Sequence, residues 1–187
     1  MLTPTKKYSL TEYFDREILA ETRNEYIDGE IIEMTGGTPT HNRVIGNFFV
    51  ALHQAIQDKP YGIFVTDQRL WIPAQRIATY PDVMVMAEPL EYQEGRKDTL
   101  VNPILIAEVL SPSTANYDRS SKFAAFRTIP SFQEYLLIAQ DRIYVEHFYK
   151  EGDRWIFAAY EGDENIPLQS VDLAIATKAI YQRVSFE

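Results

Sequence analysis

A single acidic residue, Glu108, lies inside the most apolar run of the chain, Ile-Leu-Ile-Ala-Glu-Val-Leu over residues 104–110. A near-continuous apolar run of this length predicts a β-strand that is buried on both faces of a sheet. An ionised carboxylate in such a strand costs free energy unless it is paired or binds a metal ion. Three interpretations follow: the strand has an exposed face, Glu108 is bonded to a nearby arginine, or Glu108 belongs to a functional site.

Asp82 is a second carboxylate, and it stands at the start of another apolar strand. It follows Pro81 and begins the run Asp-Val-Met-Val-Met over residues 82–86, which predicts a central strand. An aspartate after proline is commonly a turn or cap residue. If the strands of Asp82 and Glu108 are neighbours, however, the two acids converge and supply the oxygen ligands that Mg²⁺ and Mn²⁺ prefer. The pair is therefore a candidate metal site.

Lys122 is the third candidate. It lies in a helix predicted from about Asp118 to Thr128, which follows the Glu108 strand and would direct Lys122 towards the sheet if the two pack together. Hydrolysis of a phosphodiester needs a cation that polarises the phosphate, a positioned water and positive charge near the transition state. Two carboxylates, a metal ion and a lysine provide this set. The alternative is an ordinary surface lysine.

The remaining pattern predicts a mixed α/β protein. Ser9 and Glu12 form a capping box that starts a first helix, whose buried face would carry Tyr13, Phe14 and Ile18. The other predicted elements are a hairpin over 25–34 with an Asp-Gly turn, a helix over 40–57, short strands over 63–66 and 70–72 that could pair, a charged loop over 88–102, strands over 134–139, 143–149 and 155–160, and a terminal helix over 177–183. This order fits a mixed sheet flanked by helices, within a single domain over residues 1–187.

Composition excludes several classes of site. The chain has no cysteine, so disulfides, iron–sulfur clusters, thiolate zinc sites and a cysteine nucleophile are ruled out. Its three histidines fit a histidine-rich metal centre poorly. A net charge of −9 argues against a broad basic surface that coats nucleic acid, although acidic side chains can serve as cation ligands. No run reaches the ~18 apolar residues of a membrane span, and the first residues do not resemble a signal peptide, so we expect a soluble cytoplasmic protein.

Several motifs, taken in order along the chain, resemble one known family. They are the Glu-Tyr-Ile-Asp-Gly-Glu hairpin over 25–30, His41 at a helix start, Pro-Asp-Val over 81–83, Glu-Val-Leu-Ser-Pro-Ser-Thr over 108–114, Asp118 with Lys122, and Pro130 followed by Glu134-Tyr135. Together they resemble the Uma-type family of restriction-endonuclease-like proteins, which belongs to the PD-(D/E)XK nuclease superfamily. The resemblance covers roughly residues 8 to 160, and the segment over 108–114 is its most specific part.

The resemblance implies a fold and a role for each candidate residue. The fold is the restriction-endonuclease-like core of helix, three strands, helix and strand, here with an N-terminal helix and hairpin and extra C-terminal strands. Asp82 and Glu108 would bind Mg²⁺ or Mn²⁺, and Lys122 would orient water or stabilise the transition state. His41 and Glu25 would be auxiliary catalytic residues; alternatively, His41 only caps a helix and Glu25 is a solvated strand residue.

The chain departs from the superfamily pattern at three positions. Leu110 stands where the third motif residue is a lysine, so Lys122 would have to supply the charge from the following helix. Phe126 and Leu136 stand where the family has Tyr and often Trp, which concerns packing more than chemistry.

The leading expectation is thus a metal-dependent DNA endonuclease, a homodimer if it cuts both strands. One alternative is a catalytically silent nuclease-fold protein that binds DNA or a protein partner, in which Lys122 could point to solvent. Another is a metal-dependent hydrolase of smaller phosphate esters, which should have a closed pocket.

Overall fold

The computed structural model describes residues 6–186. The helices in this range are α1 (Leu10–Leu19), α2 (Pro39–Ala55), α3 (Ala115–Tyr117), α4 (Phe123–Phe126) and α5 (Thr177–Ile180), with a 3₁₀ turn over Pro73–Gln75 and a π-helical turn over Asp118–Lys122 that joins α3 to α4. Not one of these described helices combines the length and the apolar character that crossing a membrane requires.

The strands form two main sheets and a hairpin. They are β1 (Asn24–Ile27), β2 (Glu30–Glu33), β3 (Tyr61–Val65), β4 (Arg69–Ile72), β5 (Ile77–Thr79), β6 (Val83–Ala87), β7 (Thr99–Leu100), β8 (Pro103–Leu110), β9 (Glu134–Ala139), β10 (Tyr144–Glu151), β11 (Arg154–Glu161), β12 (Asn165–Leu168) and β13 (Leu173–Ala176). The larger sheet has the order β11-β10-β9-β8-β6-β3, the smaller has β2-β1-β5-β4-β7, and β12 pairs with β13. Only β8 with β9 and β4 with β7 run parallel among the described pairs.

The larger sheet is covered on both faces. Helix α2 packs on one face through Val44, Phe48 and Leu52. The smaller sheet and α4 cover the other face, where Phe126 is part of a second hydrophobic core. Strand β8 is central, and all eight of its residues are buried, as its apolar run predicts. The predicted mixed sheet flanked by helices is therefore confirmed.

The N-terminal elements follow the sequence signals with one exception. Ser9 caps α1 through the expected capping box with Glu12. The hairpin β1–β2 turns at Asp28 and Gly29, whose φ angles of 43° and 100° fit a tight turn that needs two positive values. The prediction for Ile18 is wrong: its side chain is 71% exposed, because α1 packs on β1 through the face that buries Tyr13, Phe14 and Glu17.

The predicted pairing of the strands over 63–66 and 70–72 is also wrong. Strand β3 pairs with β6 in the larger sheet, whereas β4 pairs with β5 in the smaller sheet. The chain turns between them at Thr66, whose φ of 40° lies in the left-handed region, and so passes from one sheet to the other.

Four short strands were not predicted. Strands β5, β7, β12 and β13 span two to four residues each, which is too short for an alternating pattern to stand out. The helix predicted from Asp118 begins earlier, at Ala115, and contains the π-helical turn.

Candidate active site

The structure brings all five predicted site residues to one cleft of about 370 Å³. The cleft opens where β8 ends and β6 begins, beside the hairpin β1–β2 and the start of α2. Its lining carries one lysine and five carboxylates: Lys122, Glu25, Glu33, Asp82, Glu108 and Asp118. The cleft therefore combines residues from both sheets, two helical segments and a hairpin.

Asp82 and Glu108 hold each other in place across two strands. Val83 pairs with Ala107, which places Asp82 opposite Glu108. Asp82 Oδ2 accepts a hydrogen bond of 2.7 Å from the Val109 amide, and Glu108 Oε2 accepts one of 3.3 Å from the Asp82 amide. Each carboxylate is thus oriented by the backbone next to the other.

Lys122 is buried against these acids, and so it is not a surface lysine. Its side chain is 9% exposed, and Nζ lies 2.8 Å from Glu108 Oε1, 3.6 Å from Asp118 Oδ1 and 4.0 Å from Glu25 Oε1. The π-helical turn from Asp118 to Lys122 carries both residues towards the sheet; such turns often occur at functional sites. The partner of the buried Glu108 is therefore a lysine, not an arginine, and its strand has no exposed face.

Burial and neighbouring charges shift the pKa values of Glu108, Asp118 and Lys122. Burial raises the pKa of Glu108, although the nearby Lys122 charge opposes the shift. Burial also raises the pKa of Asp118. For Lys122, burial alone would lower the pKa, but the charges of Glu108, Glu25 and Asp118 outweigh it and hold the pKa above its usual value. The lysine stays protonated, while the crowded carboxylates favour an added positive charge.

His41 contacts Asp82 from the first turn of α2. Its Nε2 lies 3.3 Å from Asp82 Oδ2 and 3.0 Å from the Val109 carbonyl oxygen. A carbonyl oxygen only accepts, so Nε2 is assigned the proton. Burial would lower the pKa of His41, but the hydrogen bond and charge of Asp82 more than offset this and raise it. The cap of α2 is the Thr38 side chain, which accepts from the His41 amide, so capping does not explain the His41 side chain.

Glu25 reaches the cleft from β1 of the smaller sheet. Its Oε1 accepts a hydrogen bond from Thr79 Oγ1 and faces Lys122. The side chain is 13% exposed, so Glu25 is not a solvated strand residue.

Other lining residues were not assigned to the site from the sequence. For Asp118 the sequence gives only a weak indication of a site role, because it stands four residues before Lys122. Thr38 and Gln140 are 102 positions apart, yet Thr38 Oγ1 donates to Gln140 Oε1 at 3.0 Å. Tyr80 lines the cleft, and its hydroxyl joins Arg69 to a buried Glu17 on α1. Such long-range contacts have no local sequence pattern.

The donor set fits a divalent cation held by few protein ligands. Within residues 6–186, no three acidic or histidine side chains converge as a ready-made metal cluster. Mg²⁺ commonly uses only one or two carboxylates and completes its shell with water and substrate phosphate oxygens. Asp82 and Glu108 supply two carboxylates that lie opposite each other on neighbouring strands, and the Lys122 ammonium lies 2.8 Å from Glu108 Oε1.

Comparisons with known proteins agree on the family and the fold. A model of the Uma2 family, described as "Putative restriction endonuclease", matches residues 10–178. An uncharacterised protein of Synechocystis is 44% identical over 87% of this chain and 93% of its own length. A second uncharacterised Synechocystis protein is 31% identical over 98% of this chain and 96% of its own length. The crystal structure of a putative nuclease of the DUF820 group from Anabaena variabilis superposes with a TM-score of 0.70 over 87% of this chain and 91% of that one; at 18% identity this likeness concerns the fold.

Proposed function

Since the chain belongs to the Uma2 family, we propose that it is a metal-dependent DNA endonuclease that hydrolyses phosphodiester bonds. The family and the fold support a nuclease. The metal, the DNA substrate and the residue roles belong to the proposal, together with the homodimer that cutting both strands of a duplex would require.

One observation carries the proposal: Lys122 Nζ lies buried 2.8 Å from Glu108 Oε1, and Glu108 is itself opposite Asp82. In this assignment Asp82 and Glu108 hold Mg²⁺ or Mn²⁺. Such an ion, when bound, polarises the phosphate and lowers the pKa of a water ligand. Lys122 supplies an ammonium group that orients the attacking water or offsets negative charge on the phosphoryl oxygens.

The remaining residues support these three. His41 donates from Nε2 to the Val109 carbonyl, and this holds its ring 3.3 Å from Asp82 Oδ2, beside the carboxylate. Together with Glu108, the carboxylates of Glu25 and Asp118 surround the Lys122 ammonium and hold its pKa above the usual value. A silent DNA-binding protein would have no need to keep this set of charges together in a buried position, since burial of each one costs free energy.

Nicking of supercoiled plasmid tests the proposal. We expect the wild type to nick plasmid with Mg²⁺ or Mn²⁺ and to lose this activity with EDTA, with Asp82→Ala and with Lys122→Ala. Asp153→Ala is the matched control, because Asp153 is exposed in the turn between β10 and β11, at the other end of the sheet. Equal activity in all four proteins would indicate a contaminant and contradict the assignment. An absence of nicking in all four would favour the silent binding protein.

A further inference from the structure

A second cleft, of about 800 Å³, adjoins the candidate active site. The two clefts share Thr38, Ser111, Pro112 and Gln140 in their linings. A ligand that extends out of the first cleft can therefore continue into the second without leaving the surface.

The two clefts differ in charge. The first is dominated by carboxylates, whereas the second carries two arginines, Arg119 and Arg142, with one carboxylate, Asp141. Its other polar side chains include hydroxyl groups, such as those of Thr40 and Ser185. Arginine and hydroxyl side chains make many of the contacts that proteins form with nucleic-acid phosphates.

The two arginines are not equivalent. Arg142 is exposed in the turn between β9 and β10; its guanidinium lies 4.6 Å from the ring centre of Tyr144 and forms no ion pair within residues 6–186. Arg119 is bound to Glu146, with its Nη2 2.7 Å from Glu146 Oε1. Arg142 therefore offers a positive charge that no ion pair within the described residues engages, whereas that of Arg119 is paired with Glu146.

We propose that the second cleft binds the sugar–phosphate backbone of the DNA strand that flanks the scissile phosphate, with Arg142 as its main phosphate contact. This inference rests on the proposed function, because it assumes that the cut phosphate lies over Asp82 and Glu108. In this arrangement the first, acidic cleft carries out the reaction, and the second cleft binds the DNA strand through its arginines.

Binding of a fluorescein-labelled DNA duplex, followed by anisotropy over about 0.05 to 0.2 M salt, tests the inference. Ca²⁺ replaces Mg²⁺, and gel electrophoresis checks that the probe stays intact. We expect Arg142→Ala to weaken binding about fivefold and to reduce the slope of log affinity against log salt by about one, as for a lost phosphate contact. Arg142→Lys should keep the slope, since it keeps the charge. Glu146→Gln should strengthen binding, because it releases Arg119.

Arg154→Ala is the control, since Arg154 is an exposed arginine at the opposite end of the sheet. If the wild type binds and nicks DNA while Arg142→Ala behaves like Arg154→Ala, the inference is overturned and the proposed function stands. If the wild type neither binds nor nicks DNA, the proposed function fails and the inference fails with it.

Discussion

Lys122 Nζ lies 2.8 Å from Glu108 Oε1, and both side chains are more than nine-tenths buried. The strand β8 supplies the acid, and the helical segment that leads from β8 to the parallel strand β9 supplies the lysine. A buried ion pair of this kind gives little stability relative to apolar residues, because both charges lose their hydration. The pair is therefore better explained by chemistry at the cleft than by the needs of folding.

The first prediction concerns the coupling between these two residues. Lys122→Met should lower the free energy of unfolding by about 3 kcal/mol, because it leaves Glu108 buried without its cation. The double variant with Glu108→Gln should recover a large part of this loss, since no buried charge is then left uncompensated at this position. Urea denaturation of the wild type, both single variants and the double variant measures the coupling.

Lys178→Met serves as the control for that cycle, because Lys178 pairs with Asp163 on the surface, with both side chains 71% exposed. It should change the stability little. Additive effects of Lys122→Met and Glu108→Gln would contradict the coupling.

The second prediction concerns metal binding without catalysis. Mg²⁺ or Mn²⁺ should raise the melting temperature of the wild type, because a ligand that binds only the folded state stabilises it by mass action. Each 1 kcal/mol corresponds to about 2–4 °C for a chain of this size. Asp82→Asn should remove most of the shift, and Asp153→Asn should retain it. An equal shift in Asp82→Asn would show that the ion binds elsewhere.

The sequence predicts the centre of the site better than its surroundings. Glu108 interrupts a long apolar run and Asp82 begins another, and such runs indicate burial directly. The case for Lys122 rests on its place in the helix predicted after the Glu108 strand and on the family resemblance, since nothing in the residues around it distinguishes it from a surface lysine. Its burial follows from how the segment after β8 packs on the sheet, which a single sequence does not encode in any short pattern.

The environment of Glu25 could not be predicted for a different reason. Glu25 lies in the smaller sheet and is hydrogen-bonded to Thr79 of β5, a strand of three residues. That strand is too short to show a pattern, and the turn at Thr66 that sends the chain into the smaller sheet has no glycine or proline to mark it. Because the sequence predicted that β3 pairs with β4, it gave no indication of the smaller sheet, which places Glu25 at the cleft.

The third prediction concerns acid stability. The hydrogen bond from Arg96 Nε, 2.6 Å from Asp98 Oδ1, and the nearby charges of Arg96 and Arg69 lower the pKa of Asp98 to about 2. A lowered pKa contributes stability above the unfolded value near 4, and this stability is lost as the pH falls towards 2. Asp98→Asn should therefore lower the free energy of unfolding at pH 7 by about 1 kcal/mol, a figure that allows for solvent screening.

Thermal melts at pH 7, 4 and 3 measure this difference, which should shrink below about pH 4 because Asp98 takes up a proton in the unfolded state while it stays ionised in the folded protein. Asp153→Asn provides the baseline for an exposed aspartate. A difference that stays constant from pH 7 to pH 3 would contradict the role of the Asp98 charge.

The last prediction concerns Glu134, a residue of the family motif that lies far from the cleft. Glu134 begins β9 at the opposite end of the sheet and is fully buried. Its carboxylate accepts from the amides of Gln169 at 2.8 Å and Ser170 at 2.9 Å, and its Oε1 lies 2.7 Å from His147 Nε2. These contacts attach the turn between β12 and β13 to the larger sheet, so Glu134 is assigned to stability and not to chemistry.

Glu134→Ala should lower the free energy of unfolding by about 3–5 kcal/mol, because it leaves several buried donors without an acceptor. Glu134→Gln should cost less, since one side-chain oxygen remains to accept a hydrogen bond. Glu151→Ala, an exposed acid on the same sheet, should change little. Urea denaturation gives the stabilities, and plasmid nicking below the melting temperature should have the same rate in the folded fraction of all three variants. A nicking rate that falls in Glu134→Gln while its stability is kept would show that Glu134 acts on the reaction after all.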